Sequence, residues 1–114
     1  MNLFSEACEG ALVVHVQEAR LDAAVAIGFK EKMREVTLQP GARVLLDMSQ
    51  IMFLDSSGLG SVVSVMKALA PKRSLELCSL SPNVAKVFRL TRMETVFPIH
   101  ANVAAALEKG PNYA

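Results

Sequence analysis

The chain has 114 residues, enough for one domain with a real core and too few for two. Hydrophobic residues make up 52% and charged residues 20%, which excludes a disordered composition. Twelve Lys and Arg stand against eleven Asp and Glu, a net charge of +1. That balance gives no general attraction to nucleic acid or to an anionic membrane.

The charge is uneven along the chain: residues 1–55 carry five basic and eight acidic side chains, residues 56–114 seven and three. A basic second half suits either a solvated face or an acidic partner. Cys8 and Cys78 form no disulfide framework, and Cys78 inside LELCSL reads as a buried reduced thiol. No leader-like start and no apolar run near ~18 residues occurs, so a soluble cytoplasmic protein without membrane insertion is expected.

In chain order, Leu3–Cys8 suggests an edge strand joined through Glu9-Gly10 to a β-branched strand over Ala11–Gln17. Asp22 is placed to cap a helix reaching about Val36, with Ala26, Phe29, Met33 and Val36 on one face. Gln39-Pro40-Gly41 makes a turn. Val44-Leu45-Leu46 then suits a central parallel strand closed by Asp47. Ile51–Leu54 is either a short strand or an inserted apolar loop, since so short a run has no periodicity.

From Ser56 or Ser57 a second helix runs to before Pro71. Leu59, Val62, Val63, Met66 and Leu69 form its apolar stripe, and Ser57, Ser61, Ser64 and Ala68 a small polar face. Ser74–Leu80 is a further strand, and Ser81-Pro82 opens a third helix with Val84, Val87 and Phe88 inward. Val96–Ile99 reads as a last strand, and Asn102 as the cap of an Ala-rich helix to Lys109. Alternating strands and helices define an α/β class with parallel strands and right-handed crossovers.

Enzyme signatures are absent: there is no HExxH, CxxC, GxxxxGK[ST] or GxGxxG, and SSGLG lacks the glycine that a nucleophile elbow needs before its serine. No cofactor is implied, and Asp22, Asp47 and Asp55 each fall where a cap or turn residue belongs. A hydrolytic role for the Asp55/Ser56 pair lacks a visible base or phosphate-binding loop. What remains is FLDSSGLGSV, residues 53–62, where an apolar run breaks into an acid, two hydroxyls and two glycines. Capping and close packing account for that composition. A hydroxyl at a helix start beside unpaired N–H groups is equally suited to carry a phosphoryl group.

VLLDMSQIMFLDSSGLGSVVSVMKAL, residues 44–69, resembles the signature of the STAS domain of bacterial anti-sigma factor antagonists. EARLDAAVAIGFKEKM (18–33) resembles the family's G-x-L-D and first helix, and LSPNVAKVFRLTRMETVFPIH (80–100) its S-P-x-V…L-T-G-L…V-F-x-I segment. Residues 1–114 are then one STAS domain: a mixed, mostly parallel sheet of four to five strands with about four helices on one side. The resemblance implies a partner-switching regulator, not an enzyme. Unmodified, it binds a serine kinase that is also the anti-sigma factor and so frees the sigma factor; phosphorylation inactivates it and a serine phosphatase resets it. The implied acceptor is Ser56, with Ser57 second, and the implied partner-binding residues are Asp22, Asp55, Ser56, Ser57, Gly58, Leu59 and Ser61. Stand-alone STAS proteins also resemble subunits of lipid-trafficking ABC transporters, where the domain is a structural partner. Two departures stand out: Ala19 replaces a usual Gly, and Thr91-Arg92-Met93 the common Thr-Gly-Leu.

Overall fold

In the computed structural model, which describes residues 1–109, the apolar strands assemble into one five-stranded sheet in the order β1-β2-β4-β6-β7. β1 (Leu3–Cys8) is an edge strand, antiparallel to β2 (Ala11–Val16) across the Glu9-Gly10 turn, where Gly10 has φ +82. β4 (Arg43–Asp47), β6 (Ser74–Cys78) and β7 (Ile99–His100) continue in parallel. α1 (Ala26–Val36) joins β2 to β4, α2 (Ser56–Leu69) joins β4 to β6, and α3 (Pro82–Leu90) joins β6 to β7.

Side-chain alternation divides the sheet into two faces. Leu12, Val14, Val44, Leu46, Leu75 and Leu77 point towards Phe29 and Met33 of α1, Val62 and Val65 of α2, and Val84 and Phe88 of α3 in the main core. Their neighbours Ala11, Val13, Leu45 and Cys78 point the other way and pack against Ala106 of α4 (Val103–Glu108). The expectation of helices on one side therefore holds for α1, α2 and α3 and is corrected for α4. The central strands are apolar on both faces, so a fourth helix is needed on the far side to cover the second set.

Three further boundaries differ from expectation. Asp22 does not cap α1: its carbonyl accepts the Val25 and Ala26 N–H groups at 3.1 and 2.9 Å, and its side chain accepts from Ala24 N–H at 3.1 Å. It thus opens a turn ahead of the helix, because β3 (Arg20–Leu21) still pairs with β5 (Phe53–Leu54) in a separate two-stranded sheet. β6 ends at Cys78 because Ser79 adopts φ 61. Val96 follows a 3-10 turn at Met93–Thr95 instead of starting a strand, and β7 begins only at Ile99. Ser81 does sit at the α3 N-cap, yet its hydroxyl donates to the Ile51 carbonyl at 2.9 Å and so fastens the loop that leads into β5. Asn102 behaves as expected, accepting the Ala105 N–H at 2.7 Å at the start of α4.

The buried stripe of α2 is also shifted from expectation: Ser57, Ser64 and Ala68 of the small face stay exposed, but Ser61 turns inward. Gly58, Ser61, Val62 and Val65 are its buried residues, whereas Leu59, Val63, Met66 and Leu69 are only partly buried. Gly58 explains this: a Cβ there would lie 2.0 Å from the Leu21 carbonyl oxygen, so the helix start is pressed against β3. Ser61 fits beneath the same approach because its hydroxyl donates to the Gly58 carbonyl at 2.6 Å, leaving no buried polar group unpaired.

Candidate functional site

The candidate site is the junction where β5 turns into α2. Asp55 is the N-cap residue of α2, in extended conformation, and its Oδ1 accepts the Gly58 N–H at 2.8 Å. Its Oδ2 accepts the Ala23 N–H at 3.2 Å, so one carboxylate ties the start of α2 to the turn after β3. The Gly58 N–H, with the Ala23 N–H in support, holds the Asp55 carboxyl below the usual aspartate range. Asp55 is thus a fixed negative charge at the positive end of the α2 dipole.

Ser56 and Ser57 follow in the first turn of α2, and both are exposed. Neither hydroxyl hydrogen-bonds to any group among the described residues. Asp22 lies on the same surface through the Asp55–Ala23 link, and it accepts from Arg20 Nε at 3.1 Å. Of the sequence-predicted residues, Asp22, Asp55, Ser56 and Ser57 are therefore brought to one surface. Gly58 and Ser61 lie beneath it as buried packing residues, and Leu59 is half-buried against the core. Gly58 and Ser61 pack beneath the surface and set the height at which α2 presents Ser56.

Sequence reasoning missed the apolar part of this surface. Met52 and Phe53 directly precede the motif and are 53% and 42% exposed, and the Arg20 guanidinium stacks 4.2 Å from the Phe53 ring centroid. The available signal was the register of β5: Leu54 pairs with Leu21 and is buried, which turns Phe53 outward. The junction thus offers an exposed hydroxyl directly after the Asp55 carboxylate, and Arg20, paired with Asp22 and stacked on Phe53, joins the acidic and apolar parts of the surface.

Two other titratable clusters lie on the opposite sheet face, away from this junction. Beneath α4, Glu76 is 1% exposed, accepts from Arg43 Nε and Nη2 at 2.9 and 2.7 Å, and lies 2.8 Å from His100 Nε2. Burial works to raise the Glu76 pKa, but the hydrogen bonds from Arg43, His100 and Ser74 outweigh it and keep the carboxyl ionised. Arg43 also donates to the Ala106 carbonyl at 2.9 Å, which fastens α4 to the sheet. Beside them, His15 sits between Asp47 and Glu6, each 2.6 Å from a ring nitrogen. The Cys78 thiol is buried and pushed up to about 12, mainly by burial, and so is an inert core group.

The chain belongs to the STAS domain family, whose model matches residues 5–106. It is 29% identical over 80 residues to the anti-sigma-B factor antagonist of Listeria monocytogenes, covering 69% of this chain and 70% of that one. Its fold superposes on an anti-sigma factor antagonist from Mycobacterium paratuberculosis with a TM-score of 0.82 at 21% identity, covering 94% and 91% of the two chains. It also matches SpoIIAA, an anti-sigma factor antagonist known in an unphosphorylated form, with a TM-score of 0.74 at 22% identity over 95% of both chains. The phosphorylated form of SpoIIAA, from Bacillus, matches with a TM-score of 0.67 at 22% identity over 95% of this chain and 98% of that one. No helix among the described residues is long and apolar enough to cross a membrane.

Proposed function

We propose that this protein is a phosphorylation-controlled anti-sigma factor antagonist that acts in the cytoplasm through binding, not catalysis. Unmodified, it docks a serine-kinase anti-sigma factor on the surface around Ser56, so that the sigma factor is released. Phosphorylation of Ser56 by that kinase ends the complex, and a serine phosphatase restores it. The observation that carries this reading is the exposed Ser56 hydroxyl, free of internal hydrogen bonds, at the first position of α2 directly after the fixed Asp55 carboxylate.

The physics supports a switch of surface instead of a switch of fold. A phosphoryl group adds roughly −1.5 to −2 charges at neutral pH. At the start of α2 it meets the positive end of the helix dipole, which favours it. The adjacent Asp55 carboxylate repels it and directs its charge outward, onto the surface that also carries the exposed Met52 and Phe53. A partner that buries that apolar patch would then have to desolvate a dianion, which is strongly unfavourable. The relatives' names and the DSSGL motif support the same role.

The test is phosphorylation by the cognate kinase with ATP. One phosphate per chain is expected, located at Ser56 by mass spectrometry and absent in Ser56→Ala. Ser56→Asp is expected to lose kinase binding in pull-down while keeping the wild-type melting temperature. Wild-type phosphorylation of Ser56→Ala would overturn the Ser56 assignment in favour of Ser57.

A further inference from the structure

The C-terminal halves of α1 and α2 diverge around a groove of about 450 Å³, well away from Ser56. Ser64 and Ala68, which line it, lie about 12 and 18 Å along α2 from Ser56 at a rise of ~1.5 Å per residue. The floor is apolar: Met33 and Val65 are 1% and 7% exposed, and Leu69 is half-buried beside them. The rim is cationic, made by Lys30 and Arg34 of α1 and by Lys72 and Arg73 after α2, and no acidic side chain lines the groove.

None of these four cations is ion-paired to a carboxylate among the described residues. Arg73 is held in place by donating to the Gly41, Thr37 and Gln39 carbonyls at 2.7, 2.6 and 2.9 Å. Its charge is therefore fixed at the groove without being neutralised by an anion. Part of the basic excess in the second half of the chain gathers here, together with two cations from α1.

We propose that this groove binds a single-chain anionic amphiphile, the aliphatic tail lying along Leu69, Ala68 and the edge of Val65 above the buried Met33, and the carboxylate meeting the cationic rim. The volume falls within the roughly 300–1,000 Å³ of small-ligand sites. From Lys30 to Val36 the α1 wall runs about 9 Å, under two helical turns, shorter than the typical docked helix. A flat bilayer surface reaches the rim and Leu38, but not a floor recessed below them. The site stands independently of Ser56 and of any role in partner switching.

The test titrates ¹⁵N-labelled protein with sodium decanoate and, separately, with the neutral decyl maltoside. Decanoate is expected to give saturable shifts at Met33, Thr37, Ser64 and Ala68 and none at Ser56 and Ser57. The Lys30→Glu/Lys72→Glu pair is expected to weaken it at least tenfold, given up to about fivefold per partly exposed charge. Both lysines are exposed and unpaired with carboxylates among the described residues, so this variant should keep its wild-type melting curve. Ala68→Trp is expected to block the groove with the charges intact, and Ser64→Leu serves the same purpose should that variant fail to fold. Equal affinity for decyl maltoside, shifts centred elsewhere, or tighter binding of an acidic helical peptide overturns the proposal. So does sedimentation with phosphatidylglycerol vesicles that Ala68→Trp leaves unchanged.

Discussion

Two glycines two residues apart on α2 should respond to the same substitution with opposite signs. In Gly58→Ala the new methyl would stand 2.0 Å from the Leu21 carbonyl oxygen, 2.8 Å from its carbon and 2.9 Å from Leu54 Cδ1. The first two are backbone atoms of β3, which is itself held by pairing with β5. The neighbours therefore cannot give by rotating a side chain, and the start of α2 must move out by about 1 Å to reach ordinary contact distance. Overpacking of this kind costs roughly 1–3 kcal/mol, and the better helix propensity of alanine returns at most about 1 kcal/mol. A Cβ on Gly60 meets nothing within 4 Å on the exposed side of the same helix, so Gly60→Ala gains the propensity term undiminished. Thermal unfolding followed by circular dichroism should show Gly58→Ala melting several degrees below wild type, at about 4–8 °C per kcal/mol for a domain of this size. Gly60→Ala should melt a few degrees above. A Gly58→Ala variant as stable as Gly60→Ala would refute the close approach of α2 to β3, and with it the reason that Ser56 stands where it does.

The remaining predictions concern the charged clusters and one backbone strain point. Burial alone would lower the His15 pKa, but the hydrogen bonds to Asp47 and Glu6 raise it above its ordinary 6.5. A raised folded pKa gives stability that is complete below about 6.5 and lost as pH rises through the folded value. The gap in urea stability between wild type and His15→Gln should therefore be larger at pH 6 than at pH 9, and a pH-independent gap would count against the cluster. Glu76→Leu removes the carboxylate that pairs with Arg43 beneath α4 and should cost about 3–5 kcal/mol in urea unfolding, whereas adding Arg43→Met should recover part of that loss. Arg92 occupies the left-handed region at φ 62, so Arg92→Gly should raise the urea midpoint by the equivalent of about 1 kcal/mol; a lowered midpoint would show that the arginine side chain holds the 3-10 turn.

Most of the sheet and its helices were legible because they span several periods of a simple pattern. Val44-Leu45-Leu46 reads as a strand covered on both sides, and it is one. The same run could not say which helix covers which face, because an apolar residue pointing either way looks alike in sequence. The placement of α4 was lost for that reason. A clue existed in the polar residues: Arg43 and Glu76 both point to the α4 side, together with Leu45 and Cys78. A lone acid between Leu75 and Leu77 in SLELC marks a buried partner, although the sequence does not reveal that the partner is Arg43. β3 and β5 were illegible because two-residue strands have no periodicity at all. Their pairing moved the start of α1 and set the inward stripe of α2 to Gly58, Ser61, Val62 and Val65. At the candidate site, the capping role of Asp55 was readable from residue type, whereas its second bond to Ala23 depends on residues 32 apart.

The left-handed backbone at Arg92 and the doubly bonded carboxylate at Asp55 point to different tolerances within one fold. At Arg92 the backbone adopts a conformation that glycine reaches freely, and the chain accepts the strain in an exposed loop where only a short 3-10 turn depends on it. At Gly58 no such exchange is open, because the obstacle is the backbone of another element and not the local φ. Asp55 adds to the same constraint by bonding both α2 and the turn after β3. Ser56, one residue later, is bound by neither requirement: its side chain packs against nothing that the fold needs. A residue that is held rigidly in position by its neighbours, while its own side chain is free, presents its hydroxyl to a second protein at little ordering cost. Under the proposed function, a phosphoryl group there would change the charge of the surface and leave the core as it was, which is the physical condition for a reversible switch on a stable domain.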